Sequence, residues 1–387
     1  MNLINMDSVL TPAGLRCEYR QVPLGIDETK PRLSWRLESS NPAARGQRQT
    51  AYQLLVASSR QALDNDQGDL WDSGKVSGQA NQCAYAGKPL TSRLACPWKV
   101  RAWDQDGKAS AWSAPALWTM GLLRPDDWSA TWILEDDAPP EQEPTAPLFR
   151  KTFDLSAAPV RATVYVSSLG YHELYLNGQK VGRDVLAPQV SVMDLYVFYV
   201  THDVSALLKE GQNCLGLWLG DGFVGRFFPD SRPQGIVQLE IECRDGSRVI
   251  ITSDETWKTH PSHIRRIGGF KFCDYGGERW DGSRELPDWC RASRDNTGWK
   301  PVRVRTSGTP TRREELEADL PDRLKVYTPA GTPVLRAEMI PPNVVLKEVQ
   351  PKAVLAEPNQ TWLVDMGEMI TGWFAFAGQG TPGQVIT

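Results

Sequence analysis

Short alternating runs of apolar and polar residues, bounded by Gly, Pro, Asn and Asp, dominate this chain, and helical periodicity is almost absent. That pattern predicts strands packed in sandwiches. Early in the chain, RLSWRL (residues 32–37), AYQLLVAS (51–58) and WKVRAWD (98–104) read as strands, the last leading into an Asp106-Gly107 turn. The spacing up to LWTMGLL (117–123) fits one immunoglobulin or fibronectin-III-like sandwich, without the Cys…Trp…Cys pattern of antibody domains. LEDDAPPEQEPTAP (134–147) is acidic and Pro-rich and reads as an exposed loop.

A second β region follows. FRKTFDL (149–155) and RATVYVSSLG (161–170) read as strands, and YHELYLNGQKVG (171–182) as a hairpin closed by Asn177-Gly178. DVSALLKEG (203–211) reads as a short helix or turn capped by Asp203. GIVQLEIECRDGSRVIITSD (235–254) reads as a hairpin over Asp245-Gly246. RREELEADLPDRL (312–324) has the pattern of a helical connector. A third β unit is expected to open near Val334, with LVDMGEMITGWFAFAGQGTPGQVIT (363–387) giving three short strands between Gly-marked turns. The expected fold class is all-β: tandem sandwiches over 1–122 and 123–305, then a linker and an incomplete sandwich over 306–387.

Composition narrows the function classes. The 43 basic residues are balanced by 47 acidic ones, a formal net charge of −4, so there is no surplus to hold a phosphate backbone and no nucleic-acid partner is expected. No stretch approaches the ~18 consecutive apolar residues of a membrane helix, and the N-terminus lacks the pattern of a signal peptide. The seven cysteines are scattered, with no C-x-x-C, which argues against a disulfide framework and a zinc site and for reduced thiols in the cytoplasm. Fifteen tryptophans are abundant; most are core candidates, but flat exposed indoles are also what sugar-binding faces use.

The chemical motifs are weak one by one. Gly220, Gly222 and Gly225 form a G-x-G-x-x-G, but the Pro-containing segment after it excludes the helix a dinucleotide site needs. His260 and His263 read as lying in a Pro-containing loop, and no metal is expected there. Asp274, Glu278, Asp281 and Glu285 crowd one Gly-rich stretch; a glycosidase needs two carboxyls facing across a sugar, whereas such a cluster is usually solvated. No residue is assigned a catalytic role. If the chain holds a sugar, the expected place is WLGDGFVGRF (218–227). There glycines free the backbone, Asp221 and Arg226 offer hydrogen bonds to vicinal hydroxyls, and Trp218 or Phe223 offers an apolar cover, with Asn177 as a further candidate. The competing reading is a glycine turn with core aromatics.

Together the motifs resemble a known family. LRCEYRQVPLGIDETKPRLSWRLES (15–39), RGQRQTAYQLLVASS (45–59), GDLWDSGKV (68–76) and PWKVRAWDQDGKASAWS (97–113) are similar to the N-terminal fibronectin-like domain of bacterial α-L-rhamnosidases, glycoside hydrolase family 78. PLFRKTFDL (147–155), LGYHELYLNGQKVGRDVLAP (169–188) and HDVSALLKEGQNCLGLWLGDGF (202–223) resemble the jelly-roll-like β domain that follows it. GGERWDGSRE (276–285) with DNTGWKPV (295–302), and VDMGEMITGW (364–373), resemble two further family stretches, the last opening a concanavalin-like domain. Trp280, Gly282, Met366, Glu368 and Met369 depart from those stretches, as does QVSVMDLY (189–196). The resemblance implies an inverting hydrolase of terminal α-L-rhamnosides whose catalytic carboxylates lie in a downstream (α/α)6 barrel, so that this chain reads as a truncated N-terminal portion, inactive alone. It implies a rhamnose-containing oligosaccharide or glycoside as partner, and a downstream catalytic domain or chain. No cofactor is expected; calcium enters by family analogy only. The alternative is a free-standing carbohydrate-binding β protein without hydrolase activity.

Overall fold

The computed structural model describes residues 8–41, 43–135, 145–193, 196–222, 232–268, 276–305, 334–378, 381 and 383–386. They form tandem β-sandwiches in one compact unit up to Asn343, and a second unit from Val344.

In the first sandwich, β1 (Leu10–Cys17), β2 (Arg32–Ser39) and β6 (Gln82–Ala84) make one sheet. The other has the order β4 (Trp71–Asp72), β3 (Ala51–Val56), β7 (Ala95–Trp103), β8 (Ala116–Thr119), with β5 (Val76–Ser77) also on β3. Alternation decides the faces: Leu33 and Trp35 of β2 point inward to meet Leu54, Trp98, Val100 and Trp118. Trp98 and Trp118 pack edge to face with centroids 6.5 Å apart. One short helix, α1 (Arg60–Asp64), escapes the sequence pattern; Ser59 caps it by accepting from the Ala62 N–H.

The second sandwich has two seven-stranded sheets. One runs β13 (Gln179–Lys180), β12 (Tyr171–Leu176), β15 (Gly211–Gly220), β10 (Thr145–Leu155), β18 (Lys258–Ile267), β19 (Gly277–Trp280), with β20 (Lys300–Pro301) also on β18. The facing sheet runs β21 (Arg303–Val304), β9 (Ile133–Leu134), β16 (Gln234–Cys243), β11 (Pro159–Leu169), β14 (Tyr196–Asp203), β22 (Val334–Ala337), with β17 (Arg248–Thr252) on β16. Leu215, Leu217 and Leu219 of β15 point into the core with Phe149, Val164, Val237, Leu239 and Trp257. By the two-residue period of a strand, Cys214, Gly216 and Trp218 then face outward. The Asn177-Gly178 turn closes β12 and β13 as expected, with both residues at positive φ, 54° and 85°. The Asp245-Gly246 hairpin of β16 and β17 forms as well.

Several elements differ from the sequence reading. The stretch containing His260 and His263 is strand β18 rather than a loop, with Pro261 beside a register shift against β10 that relieves the missing N–H. The segment after Asp203, by contrast, is the turn that was expected, a 3-10 turn over Ser205–Leu207 with Asp203 Oδ1 accepting from the Ser205 N–H. Val334–Ala337 does not open a new unit. It pairs parallel to β14, and the Ala337 N–H donates to Asp27 Oδ2 of the first sandwich. The proposed helical connector at 312–324 lies outside the described residues.

The two sandwiches are joined by polar contacts. Arg93 ion-pairs with Asp127 at 3.0 Å and with Glu240 at 2.7 Å, and the Leu122 N–H donates to Tyr199 Oη at 3.0 Å. In the second unit, β23 (Ala353–Glu357) and β24 (Thr361–Asp365) pair as a hairpin. Among the described residues after Asp365 no further strand forms.

Candidate functional site

The outer face of the β12–β15–β10–β18–β19 sheet gathers the groups that have no place in the core. Leu148 of β10 lies opposite Trp218, and Thr145 opposite Arg265, so Trp218 sits near the start of β10. There the Trp218 ring packs on His263 at 5.6 Å, and His263 on Trp280 at 4.6 Å. The Trp218 Nε1–H donates to the Ala146 carbonyl at 3.1 Å, which fixes that indole. Trp280 closes the row on edge strand β19 and is 63% exposed.

His263 is buried, yet its Nε2 has no hydrogen-bond partner. Burial pulls its pKa below the ordinary value against the opposing charges of Glu285 and Asp281, so the ring is neutral near pH 7. Among the described residues, Asp281 is tied to its own turn and to a cation. Its Oδ1 accepts from the Ser283 N–H and Oγ–H, and its Oδ2 pairs with Arg284 at 3.0 Å. Glu278 lies across the ladder from Arg266.

At the same end of the sheet, Asp221 follows β15 and pairs with Arg266 of β18 at 2.6 Å. Burial raises the Asp221 pKa, and the Arg266 and Arg232 charges oppose that rise. The Arg266 Nε is buried without a partner. Backbone crowding explains the glycines here. Gly170 turns β11 into β12 at φ 103°, and a Cβ on it would stand 2.2 Å from the Gly220 carbonyl.

The structure therefore separates the sequence candidates. Trp218 and Asp221 come together at one end of the sheet. Asn177 closes the opposite end of β12, since Tyr171 pairs with Gly220 and Leu176 with Leu215; five residues of strand make that ~17 Å. Its side chain is already committed, donating to Leu207 O and Asn213 Oδ1 and accepting from the Cys214 N–H. Phe223 and Arg226 lie outside the described residues. His263, Trp280 and Arg266 join Trp218 and Asp221, and sequence reasoning missed them. Trp280 stood inside a stretch read for its carboxylates and its family motif but not for a ligand contact, and His263 needed the strand register to be placed. Among the described residues no group of three His, Cys, Asp or Glu side chains is placed to hold a metal, and no helix is long and apolar enough to cross a membrane.

Comparison with known proteins follows the same outline. The model of a Rha78A-like, N-terminal immunoglobulin domain matches residues 12–124, and that of the α-L-rhamnosidase N-terminal domain matches residues 157–325. An α-L-rhamnosidase of Formosa agariphila is 31% identical over 94% of this chain and 38% of its own length. A second from the same organism is 36% identical over 73% of this chain and 31% of its own. The solved α-L-rhamnosidase from Dictyoglumus thermophilum superposes with a TM-score of 0.78 at 30% identity, covering 92% of this chain and 38% of that one. That of Streptomyces avermitilis, solved with L-rhamnose, shares the fold at a TM-score of 0.74 and 24% identity. The chain thus spans well under half the length of these two curated relatives. Two consecutive domain matches in the family's order, backed by similarity along nearly the whole chain, place this protein in the α-L-rhamnosidase family, as its N-terminal immunoglobulin-like and β-domain region.

Proposed function

We propose that this region serves an enzyme that hydrolyses terminal α-L-rhamnosides with inversion, and that its own part is to contact the carbohydrate and support the fold, not to cleave the bond. The observation that carries this reading is the Trp218–His263–Trp280 row beside the Asp221–Arg266 pair. An exposed indole takes the apolar face of a sugar, and a carboxylate with a guanidinium takes its vicinal hydroxyls. A 6-deoxyhexose, with a methyl group in place of one hydroxymethyl, suits a surface with more ring than polar area. Hydrolysis with inversion needs an acid and a base carboxyl on opposite sides of the scissile bond. Asp281 is instead tied to Ser283 and Arg284, which supports a non-catalytic role for this stretch.

The test uses the chain as it stands. Incubated with an aryl α-L-rhamnoside, it is expected to release no aglycone; turnover abolished by Glu278→Gln or Asp281→Asn overturns the non-catalytic assignment. Titrated with L-rhamnose, it is expected to bind, and Trp280→Ala is expected to weaken that binding at least ~10-fold, as loss of one sugar-stacking ring does. Equal binding by parent and variant removes this face from the account.

A further inference from the structure

The same outer face holds a group of side chains that the saccharide reading does not use. Arg150 leaves the middle of β10 and is 1% exposed. Its guanidinium donates to the carbonyls of Arg291 at 2.9 Å, Arg294 at 3.0 Å and Asp295 at 3.2 Å, and lies 5.4 Å from the centre of the Trp299 ring. The hydrogen bonds go to backbone carbonyls and the packing is on a ring, while the Asp295 carboxylate also feels the guanidinium charge. Its Nε is buried with no hydrogen-bond partner. An ion held this way costs several kcal/mol unless something nearby offsets the charge.

What lies beside it is a pair of thiols. Cys214 of β15 and Cys290 are both buried, at 0% and 1% exposed. The Cys290 Sγ–H donates to the Cys214 carbonyl at 3.5 Å, which sets the two cysteines side by side. Gly216 makes this approach possible: a Cβ there would stand 2.5 Å from Cys290 Sγ and 2.6 Å from the Trp289 ring. The hydrogen bond from Cys290, and then the Arg150 charge, bring the Cys214 pKa below the ordinary value despite burial. Burial, followed by the Cys214 thiol, holds Cys290 well above it. At two other thiols burial is the main cause and the shift is upward: Cys17 is pushed up strongly and Cys96 to about 12.

We propose that Cys214 and Cys290 are a peroxide-responsive thiol pair whose disulfide clamps the 288–299 segment onto the outer face of the second sandwich. A local opening of that segment admits the oxidant. The Cys214 thiolate attacks one oxygen of hydrogen peroxide, the O–O bond breaks, and a sulfenic acid and a hydroxide ion result; the hydroxide takes up the proton that Cys214 gave up and leaves as water. Cys290 Sγ then attacks Cys214 Sγ and forms the S–S bond. The hydroxyl of the sulfenic acid leaves with the Cys290 proton as a second water. Two thiols are oxidised by two electrons and one peroxide is reduced to two waters. The clamp matters because Trp289 and Trp299 ride on this segment, packing on Tyr175 at 5.3 Å and His260 at 5.4 Å on the face that also carries Trp218. This inference stands on Arg150 and the thiols alone and holds whether or not a sugar binds.

The test treats the full chain with increasing hydrogen peroxide, alkylates the remaining thiols after denaturation, and maps the peptides. Cys214 and Cys290 are expected to lose alkylation together and to appear as one cross-linked peptide lighter by two hydrogens, before Cys17 or Cys96 changes. Amide exchange in 288–299 is expected to slow at least ~10-fold in the oxidised chain, a shift of 1.4 kcal/mol in local opening. In Cys290→Ser, a dimedone adduct is expected on Cys214 with no cross-link. Cys17 or Cys96 reacting first overturns the proposal, as does oxidised Cys214 in the parent chain without the cross-link.

Discussion

The two sandwiches of the first unit treat their aromatic residues in opposite ways. In the first, Trp35, Trp98 and Trp118 are at most 2% exposed and pack on one another and on aliphatic neighbours between two sheets. In the second, Leu, Val and Ile fill most of the interior, and the rings of Trp218, His263 and Trp280 line the outside of one sheet instead. The buried polar atoms without partners sort the same way. In the first sandwich they are the Nε1–H groups of Trp98 and Trp118, left over from packing large indoles. In the second they include His263 Nε2, Arg266 Nε and Arg150 Nε, groups able to bond something further. A ring inside a sandwich specifies the fold; a ring on its outer face, next to unsatisfied polar groups, is available for recognition.

The largest effect that distinguishes the two should come from truncating one indole of each kind. Trp98→Ala is expected to cost about 4 kcal/mol of stability by urea denaturation, because it empties a fully buried site. Trp280→Ala is expected to cost about 1 kcal/mol at most, the worth of its packing on His263. Equal losses would erase the contrast.

The joint between the sandwiches comes next in size. Arg93→Ala leaves the buried Asp127 and the partly buried Glu240 without their cation and is expected to cost about 2 kcal/mol, less than for a fully buried pair because Arg93 is partly solvated. The pH dependence follows. Burial pushes the Asp127 carboxyl up, but Ser92, the Arg124 N–H and Arg93 outweigh it and bring it to about 2. A carboxyl lowered on folding adds stability above its unfolded value, ~3.9, and that stability is lost as pH falls through about 2. Acid unfolding of Arg93→Ala should therefore begin at higher pH than that of the parent.

His172 acts over a different window. Burial lowers its pKa to about 3, with His202 and Lys180 adding to the shift. Its neutral ring takes part in a 2.9 Å hydrogen bond with Ser168 Oγ. Stability is present above the unfolded value of ~6.5 and declines as pH falls toward about 3. His172→Gln is expected to flatten that decline in unfolding measured from pH 7 to 4; an unchanged slope would assign the decline elsewhere.

The smallest effect concerns the second unit. Its hairpin leaves Leu363, Trp362 and Val354 exposed, and Phe374 beyond it is 88% exposed. A two-stranded hairpin with both faces wet is marginal. Amide protection in 353–365 is expected to be far weaker than in 161–169, and equal protection would mean that something covers the hairpin.

Much of this architecture was legible in the sequence because period-two alternation and Asn-Gly or Asp-Gly turns act locally. The strands around Trp35, Trp98, Asn177 and Gly246 follow directly from those signals. What escaped depends on distance in the chain. Val334–Ala337 joins β14 across more than a hundred residues, and no local pattern announces a parallel partner. His263 read as a loop residue because Pro261 precedes it, whereas a register shift absorbs the proline. The strands expected after Asp365 do not form among the described residues, although the alternation is there. For the candidate site, the sequence offered Trp218 and Asp221 from their glycine-rich setting, while Asn177 proved to hold its own turn. Trp280, His263 and Arg266 became part of the site only through the pairing of β18 with β19.

The central claim is that the outer face of the second sandwich, and not the first sandwich, meets the sugar. The most direct measurement is a titration of the isotopically labelled chain with L-rhamnose, following the indole N–H and imidazole signals. Saturable shifts are predicted for Trp280, Trp218 and His263, with Trp35, Trp98 and Trp118 unmoved and the response lost in Trp280→Ala. Shifts confined to the first sandwich, or a response that survives intact in Trp280→Ala, would contradict the claim.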